Sequence, residues 1–136
     1  MIVFEGVTKK YGGHAALENA KIKIEGGEFV CVIGPSGAGK STFLHLLIGA
    51  EKPDEGSILV DCFDVSKMSE KELASYRQKI GVVFQDHKLL QKKTVFENVA
   101  LPLEMTDHHD NYVDARVREV LHLTHLTGKE KKFPHE

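Results

Sequence analysis

The 136-residue sequence predicts an α/β fold in which antiparallel strands come first, a strand–loop–helix core follows, and helices close the chain. Three observations predict it. "MIVFEGVTKKY" alternates apolar and polar residues, the signature of a half-buried strand. "VCVIGPSGAGKSTFLHLL" joins a short apolar run to a glycine-rich loop and then to a strongly apolar helical stretch. After "IGVVFQ", two helical segments follow with no clear strand between them.

The elements can be justified in order. The first strand closes at Tyr11, and the glycine turn after it leads to a short strand and then an alternating strand carrying Ile22 and Ile24. A second glycine pair turns the chain into Val30, Cys31, Val32 and Ile33, a run of buried-strand type. Tight turns between such short strands favour antiparallel pairing. Beyond the apolar helix, Pro53, Asp54, Glu55 and Gly56 supply a turn, and "SILV" reads as another strand. Ser69 with Glu72, and Thr94 with Glu97, each match a capping box and open the helices "LASYRQK" and "VFENVALPL". "IGVVFQ" between them reads as a short buried strand ending at Gln85. Val113, Val117, Val120 and Leu121 then share one face of a last helix, after the polar loop "TDHHD".

The central motif is G-x-x-x-x-G-K-[ST], filled by Gly34, Pro35, Ser36, Gly37, Ala38, Gly39, Lys40 and Ser41. A loop that wraps a polyphosphate must aim backbone N–H groups inward, and glycine permits the dihedrals and the close approach this needs. A helix opening near Gly39 would direct the positive end of its dipole at the anion. Lys40 adds a full charge near the β- and γ-phosphates, Ser41 offers a hydroxyl to Mg²⁺, and Thr42 one to the α-phosphate. The flanking strand and helix separate this pattern from a chance glycine turn. The motif therefore implies binding of a nucleoside triphosphate, with ATP and Mg²⁺ as the expected ligands.

Composition narrows the setting. Eighteen basic and 20 acidic side chains give a formal charge of −2 and a pI near 6.4, which argues against a nucleic-acid partner. The N-terminus has no basic start followed by an apolar core, so no signal peptide is expected, and no apolar stretch approaches a membrane span. Cys31 and Cys62, both in strand-like surroundings, fit reduced thiols of a cytosolic protein.

These parts together resemble the ATP-binding subunit of ABC transporters along the whole chain. Tyr11 stands where that family places an aromatic that stacks on adenine, an interaction that tolerates any planar base. "GPSGAGKST" matches the family's phosphate loop at every position. Gln85 matches a glutamine that reaches Mg²⁺ and the γ-phosphate region, so the resemblance implies Ser41 and Gln85 as metal ligands. "VVFQDHKLLQKKTVFENVALPL" looks most like the cell-division branch, through Gln85, Asp86, His87, Leu89 and Leu90, with lipoprotein-releasing and macrolide-export ATPases as close alternatives.

The resemblance implies a P-loop NTPase core with an N-terminal antiparallel β subdomain over residues 1–85 and the start of a helical subdomain over 86–136. It also implies a homodimer of the full-length protein at the cytoplasmic face of the membrane, docked on an FtsX-like integral membrane subunit. "KKFPHE" stands where the family's signature segment is about to begin. The signature, the acidic strand with its catalytic glutamate, and the switch histidine are thus expected beyond these residues. No catalytic residue is assigned within them, and they are expected to bind ATP without turnover. A non-catalytic nucleotide-binding module and a small-molecule kinase are the competing readings. The kinase would need lid arginines, and only Arg116 and Arg118 follow Gln85, both in the last helix.

Other features carry blander expectations. His108 and His109 beside Asp107 and Asp110 read as a polar loop rather than a metal site, and His122 and His125 as solvated helix residues. Lys129 to Lys132 reads as an exposed face, and Cys62 as a strand residue. In the ABC family the loop after the glutamine forms part of a groove for a membrane-subunit helix, which makes Leu89, Leu90 and Phe96 candidate apolar contacts, Leu89 the most exposed of them.

Overall fold

The computed structural model describes residues 1–106 and 109–136. The chain divides into two compact units, Met1–Gly81 and Val82–Glu136. The first holds a four-stranded antiparallel sheet of order β2-β1-β3-β4, built from β1 (Ile2–Tyr11), β2 (His14–Ile24), β3 (Glu55–Val60) and β4 (Phe63–Asp64). Helix α1 (Lys40–Leu47) and helix α2 (Glu70–Arg77) complete it.

The long strand β1 is paired on both sides, Phe4 lying opposite Ile22 of β2 and Ile58 of β3. Its alternation breaks at Gly6, where the register slips, so that Val7 and Thr8 are both buried. Gly6 has φ +62°, and a Cβ on the facing Gly56 would lie 2.5 Å from the Gly6 carbonyl oxygen. Two glycines meet where the backbones crowd. The buried Thr8 hydroxyl accepts a hydrogen bond from the Asn19 N–H at 3.1 Å, so its burial leaves it partnered.

Phe4, Val7, Phe43, Leu46, Ile58, Val65 and Leu73 form the core of this unit. Phe43 of α1 stacks on Phe4 with centroids 4.6 Å apart, which fixes the helix against the sheet. From α2, the Tyr76 hydroxyl donates to the Leu47 carbonyl at 2.8 Å. Arg77 donates from Nε to the Ile48 carbonyl at 3.0 Å and from Nη2 to the Gly49 carbonyl at 2.6 Å. The last carbonyls of α1 are thus satisfied, with a cation at the negative end of its dipole.

The second unit packs α3 (Val95–Glu104) on α4 (Asp110–Leu123) through Ala100, Val113, Val117 and Leu121. The predicted face of the last helix is the buried one, with Val120 half-buried at its margin. Both predicted capping boxes form: Ser69 with Glu72 at α2, and Thr94 with Glu97 at α3. The Lys129–Lys132 stretch has a backbone role as well as exposed side chains, since the N–H groups of Val95 and Phe96 donate to the carbonyls of Lys132 and Glu130 at 2.7 and 3.0 Å.

Several expectations are corrected. Residues 14–24 form one strand rather than two. Cys62 lies in the two-residue turn between β3 and β4, where Asp61 and Cys62 both have positive φ, and not in a strand. The runs at Val30–Ile33 and "IGVVFQ" are not sheet strands among the described residues. Phe29 is 99% exposed, Ile33 85% and Val83 96%. An apolar run becomes a buried strand only when neighbours hydrogen-bond its edges and cover its faces, and the antiparallel sheet does neither.

Candidate functional site: the phosphate loop and its aromatic neighbour

Residues 34–39 join the extended segment to α1, and the turn they make is set by glycine. Gly37 and Gly39 have φ of +80° and +84°. Gly39 is the N-cap of α1 and is buried, and a Cβ there would lie 2.2 Å from the Ala16 carbonyl oxygen and 3.2 Å from the Leu17 side chain. That spacing is closed to every other residue type, so the loop sits directly on β2. The Ala38 N–H donates to the Pro35 carbonyl at 3.2 Å, which tightens the turn.

Lys40 reaches back across the loop, its Nζ donating to the carbonyls of Gly34 at 2.9 Å and Pro35 at 2.7 Å. The ammonium is thereby held over the mouth of the loop. Ser41 is exposed at the second position of α1, and Thr42 is half-buried at the third. Helix α1 has no side-chain cap and no acidic residue in its first turn. Its N-terminal dipole is therefore offered outward without an internal anion to neutralise it. A glycine cradle, an unopposed helix N-terminus, an ammonium and an exposed hydroxyl fit a polyphosphate with its divalent cation.

Tyr11 ends β1 beside the Gly12–Gly13 turn and is 45% exposed. Its hydroxyl donates to Glu51, while Lys9 Nζ lies over the ring, 5.6 Å from its centroid. The Glu51 carboxylate raises the Tyr11 hydroxyl above the usual phenol range, as does burial, and the Thr42 hydroxyl works against it. Tyr11 and Glu51, far apart in sequence, are thus brought together. Gln85 belongs to the second unit, where it forms an exposed turn with Asp86.

Sequence reasoning passed over Glu51, which lies just before the turn residues it singled out; an acid after the apolar helix was the available signal. It also passed over Asn98, whose amide donates to the carbonyls of Leu90, Lys93 and Thr94 and whose oxygen accepts from the Leu90 N–H. A polar amide inside an apolar helix was the signal there. Leu89 and Leu90 are exposed in the loop so pinned, whereas Phe96 is half-buried against the second core, with the Arg118 guanidinium 5.9 Å from its ring centroid.

A cavity of about 440 Å³ in the first unit, lined by Phe63, Met68 and Tyr76 among others, contains none of the loop residues. Residues 34–38 of the loop are exposed and Gly39 is buried. Among the described residues no group of three His, Cys, Asp or Glu side chains could hold a metal, and Asp107 and His108 lie outside them. No helix among the described residues is long and apolar enough to cross a membrane.

The antiparallel sheet, the phosphate loop opening α1 and the separate helical unit define an ATP-binding cassette. The chain belongs to the ABC transporter family, whose profile matches residues 17–136. It is 49% identical over 135 residues to the cell division ATP-binding protein FtsE of Bacillus subtilis, covering 98% of this chain and 59% of that protein. It is 40% identical to the methionine import ATP-binding protein MetN of Clostridium acetobutylicum, over 95% of this chain and 40% of that one. Among solved structures, a dimeric ATP-binding cassette in a post-hydrolysis state bound to ADP and Pi superposes with a TM-score of 0.88 at 35% identity, over 99% of this chain and 62% of that one. The chain thus spans roughly 60% of the FtsE length it matches.

Proposed function

We propose that this chain binds ATP with Mg²⁺ as part of a cell-division ABC ATPase of FtsE type, acting on an FtsX-like membrane subunit from the cytoplasmic face. The observation that carries the nucleotide part is the loop: Gly39 fits only as glycine, Lys40 spans the mouth, and α1 presents an uncapped N-terminus. In this reading Gly34 to Gly39 cradle the phosphates, Lys40 neutralises the β- and γ-phosphates, Thr42 holds the α-phosphate, and Tyr11 stacks on the base. Ser41 offers its hydroxyl to the Mg²⁺, which when bound would offset phosphate charge. The 49% identity to FtsE supports the cell-division assignment.

The residues assigned to the site supply amides, hydroxyls and one ammonium but no carboxylate to orient a water, so these 136 residues are expected to hold ATP without turning it over. In the longer protein, the apolar runs at 29–33 and 80–84 would be inner strands paired by further chain, and two copies would form a dimer. Calorimetric titration tests the loop. Lys40→Ala should weaken ATP binding by about tenfold to a hundredfold, the worth of a charge-assisted contact. Unchanged affinity would overturn the assignment, and steady Lys40-dependent hydrolysis by the 136 residues would overturn the absence of turnover. The partner half rests on Leu89, 48% exposed in the loop after Gln85. Leu89→Asp in the full-length protein should abolish co-purification with the membrane subunit while sparing ATP binding, and intact co-purification would move the docking site elsewhere.

A further inference from the structure

We propose that Glu51 is a positioning residue that holds the Tyr11 ring in place for a nucleobase, by accepting the hydrogen bond from its hydroxyl. The proposal rests on the reading of Tyr11 as the stacking residue. Tyr11 sits exposed at a strand end beside a two-glycine turn, a place where a tyrosine would ordinarily keep its side-chain freedom. Here it does not. Its hydroxyl donates to Glu51 Oε2, and Lys9 Nζ lies 5.6 Å from its ring centroid.

Lys9 is in turn held by the Lys52 carbonyl at 2.8 Å and lies 3.8 Å from carboxylate oxygens of both Glu51 and Asp54. Glu51 is anchored at its other end to α1. Its Oε1 lies 3.3 Å from His45 Nδ1, and its backbone N–H donates to the His45 carbonyl at 3.3 Å. One carboxylate therefore ties the end of β1 to the C-terminal end of the helix that the phosphate loop opens. The ring is set at a fixed offset from the phosphates, so that a nucleotide meets both together with less ordering left to do.

The protonation states favour this arrangement. The Tyr11 hydroxyl, first among several causes, holds the Glu51 carboxyl below its ordinary range, so it stays an acceptor. The same contact raises the Tyr11 hydroxyl, so it stays a donor.

The test uses the full chain with two probes: ADP, which carries base and phosphates, and inorganic pyrophosphate, which carries phosphates alone. Tyr11→Phe keeps the ring and removes the hydroxyl; Glu51→Ala removes the acceptor. Each should weaken ADP by about two- to tenfold, the worth of one hydrogen bond, and leave pyrophosphate unchanged. The double variant should be no weaker than either single one, and Glu51→Gln, whose amide oxygen still accepts, should bind ADP nearly as wild type does. Additive losses, an unaffected Glu51→Ala, or equal loss of both probes would overturn the proposal, the last because Glu51 would then be holding the fold rather than the ring. Tyr11→Ala separates the two readings. If it leaves ADP binding intact, stacking itself fails; if it weakens ADP while Tyr11→Phe and Glu51→Ala do not, only the positioning role fails.

Discussion

Helices α1 and α3 begin in opposite ways: α3 answers its own N-terminal donors, and α1 leaves them open. At α3 the Thr94 hydroxyl accepts from the Glu97 N–H, while Glu97 accepts from the Thr94 N–H at 2.8 Å and pairs with Lys93 at 2.8 Å. Helix α2 repeats the box with Ser69 and Glu72. Their N-terminal donors and dipoles are answered from within the chain. At α1 the N-cap is a left-handed glycine, the third helical position is Thr42 instead of a glutamate, and no acid stands in the first turn. Capping α1 internally would have stabilised the helix but would have answered the free donors on which the proposed nucleotide site depends. Its helix is secured instead from its far end, by Tyr76 and Arg77 on its last carbonyls and by Phe43 on Phe4.

The largest effect is expected from Gly39→Ala, which breaks the α1 side of the contrast. Left-handed backbone costs a non-glycine residue about 1–2 kcal/mol, before any overlap is counted. The added Cβ would also meet the Ala16 carbonyl oxygen at 2.2 Å. Nucleotide binding should be lost and the chemical-denaturation midpoint lowered. Retention of both would mean the loop does not rest on β2.

Thr42→Glu sharpens the comparison by giving α1 the third-position glutamate that α2 and α3 possess. A carboxylate in the first turn favours the helix by about 0.3–1 kcal/mol at an exposed site, yet it should repel the phosphates. Thermal stability should hold or rise slightly while ATP affinity falls by about tenfold or more, as loss of a charge-assisted contact would predict. Equal affinity for wild type and variant would show that the first turn of α1 does not face the anion.

The smallest effect concerns α3 and pH. Lys93 first, then the Thr94 N–H and hydroxyl, hold the Glu97 carboxyl down at about 2, against 4.5 unperturbed. A carboxyl depressed in the folded state adds stability above its unfolded pKa and loses it as pH falls through the folded one. The contribution of ionised Glu97 should therefore be complete above about pH 4.5, decline toward pH 2, and vanish below. Glu97→Gln should lower stability at neutral pH and converge with wild type across that window in paired denaturation curves. Parallel curves throughout would show that the box contributes nothing through its charge.

Local features were legible. Both capping boxes, the start of α1 after the glycine loop and the Val113–Val117–Leu121 face depend on residues within one or two turns of each other, so sequence spacing fixes them. Strand pairing is different. "VCVI" and "IGVVF" have the composition of buried strands, but burial belongs to neighbours elsewhere in the chain, and the sheet that forms is made by β1 to β4 alone. Cys62 was misplaced for a related reason, since the two-residue turn is set by where β4 pairs with β3. The Tyr11–Glu51 bond joins residues 40 apart, and the Gly39–Ala16 contact crosses from a loop to a strand. By itself the sequence determined that a glycine loop would run into an apolar helix at Lys40, because a loop and the helix it opens are contiguous. Only the tertiary structure decided what holds those residues in place, because the groups that do so come from distant parts of the chain and meet through packing.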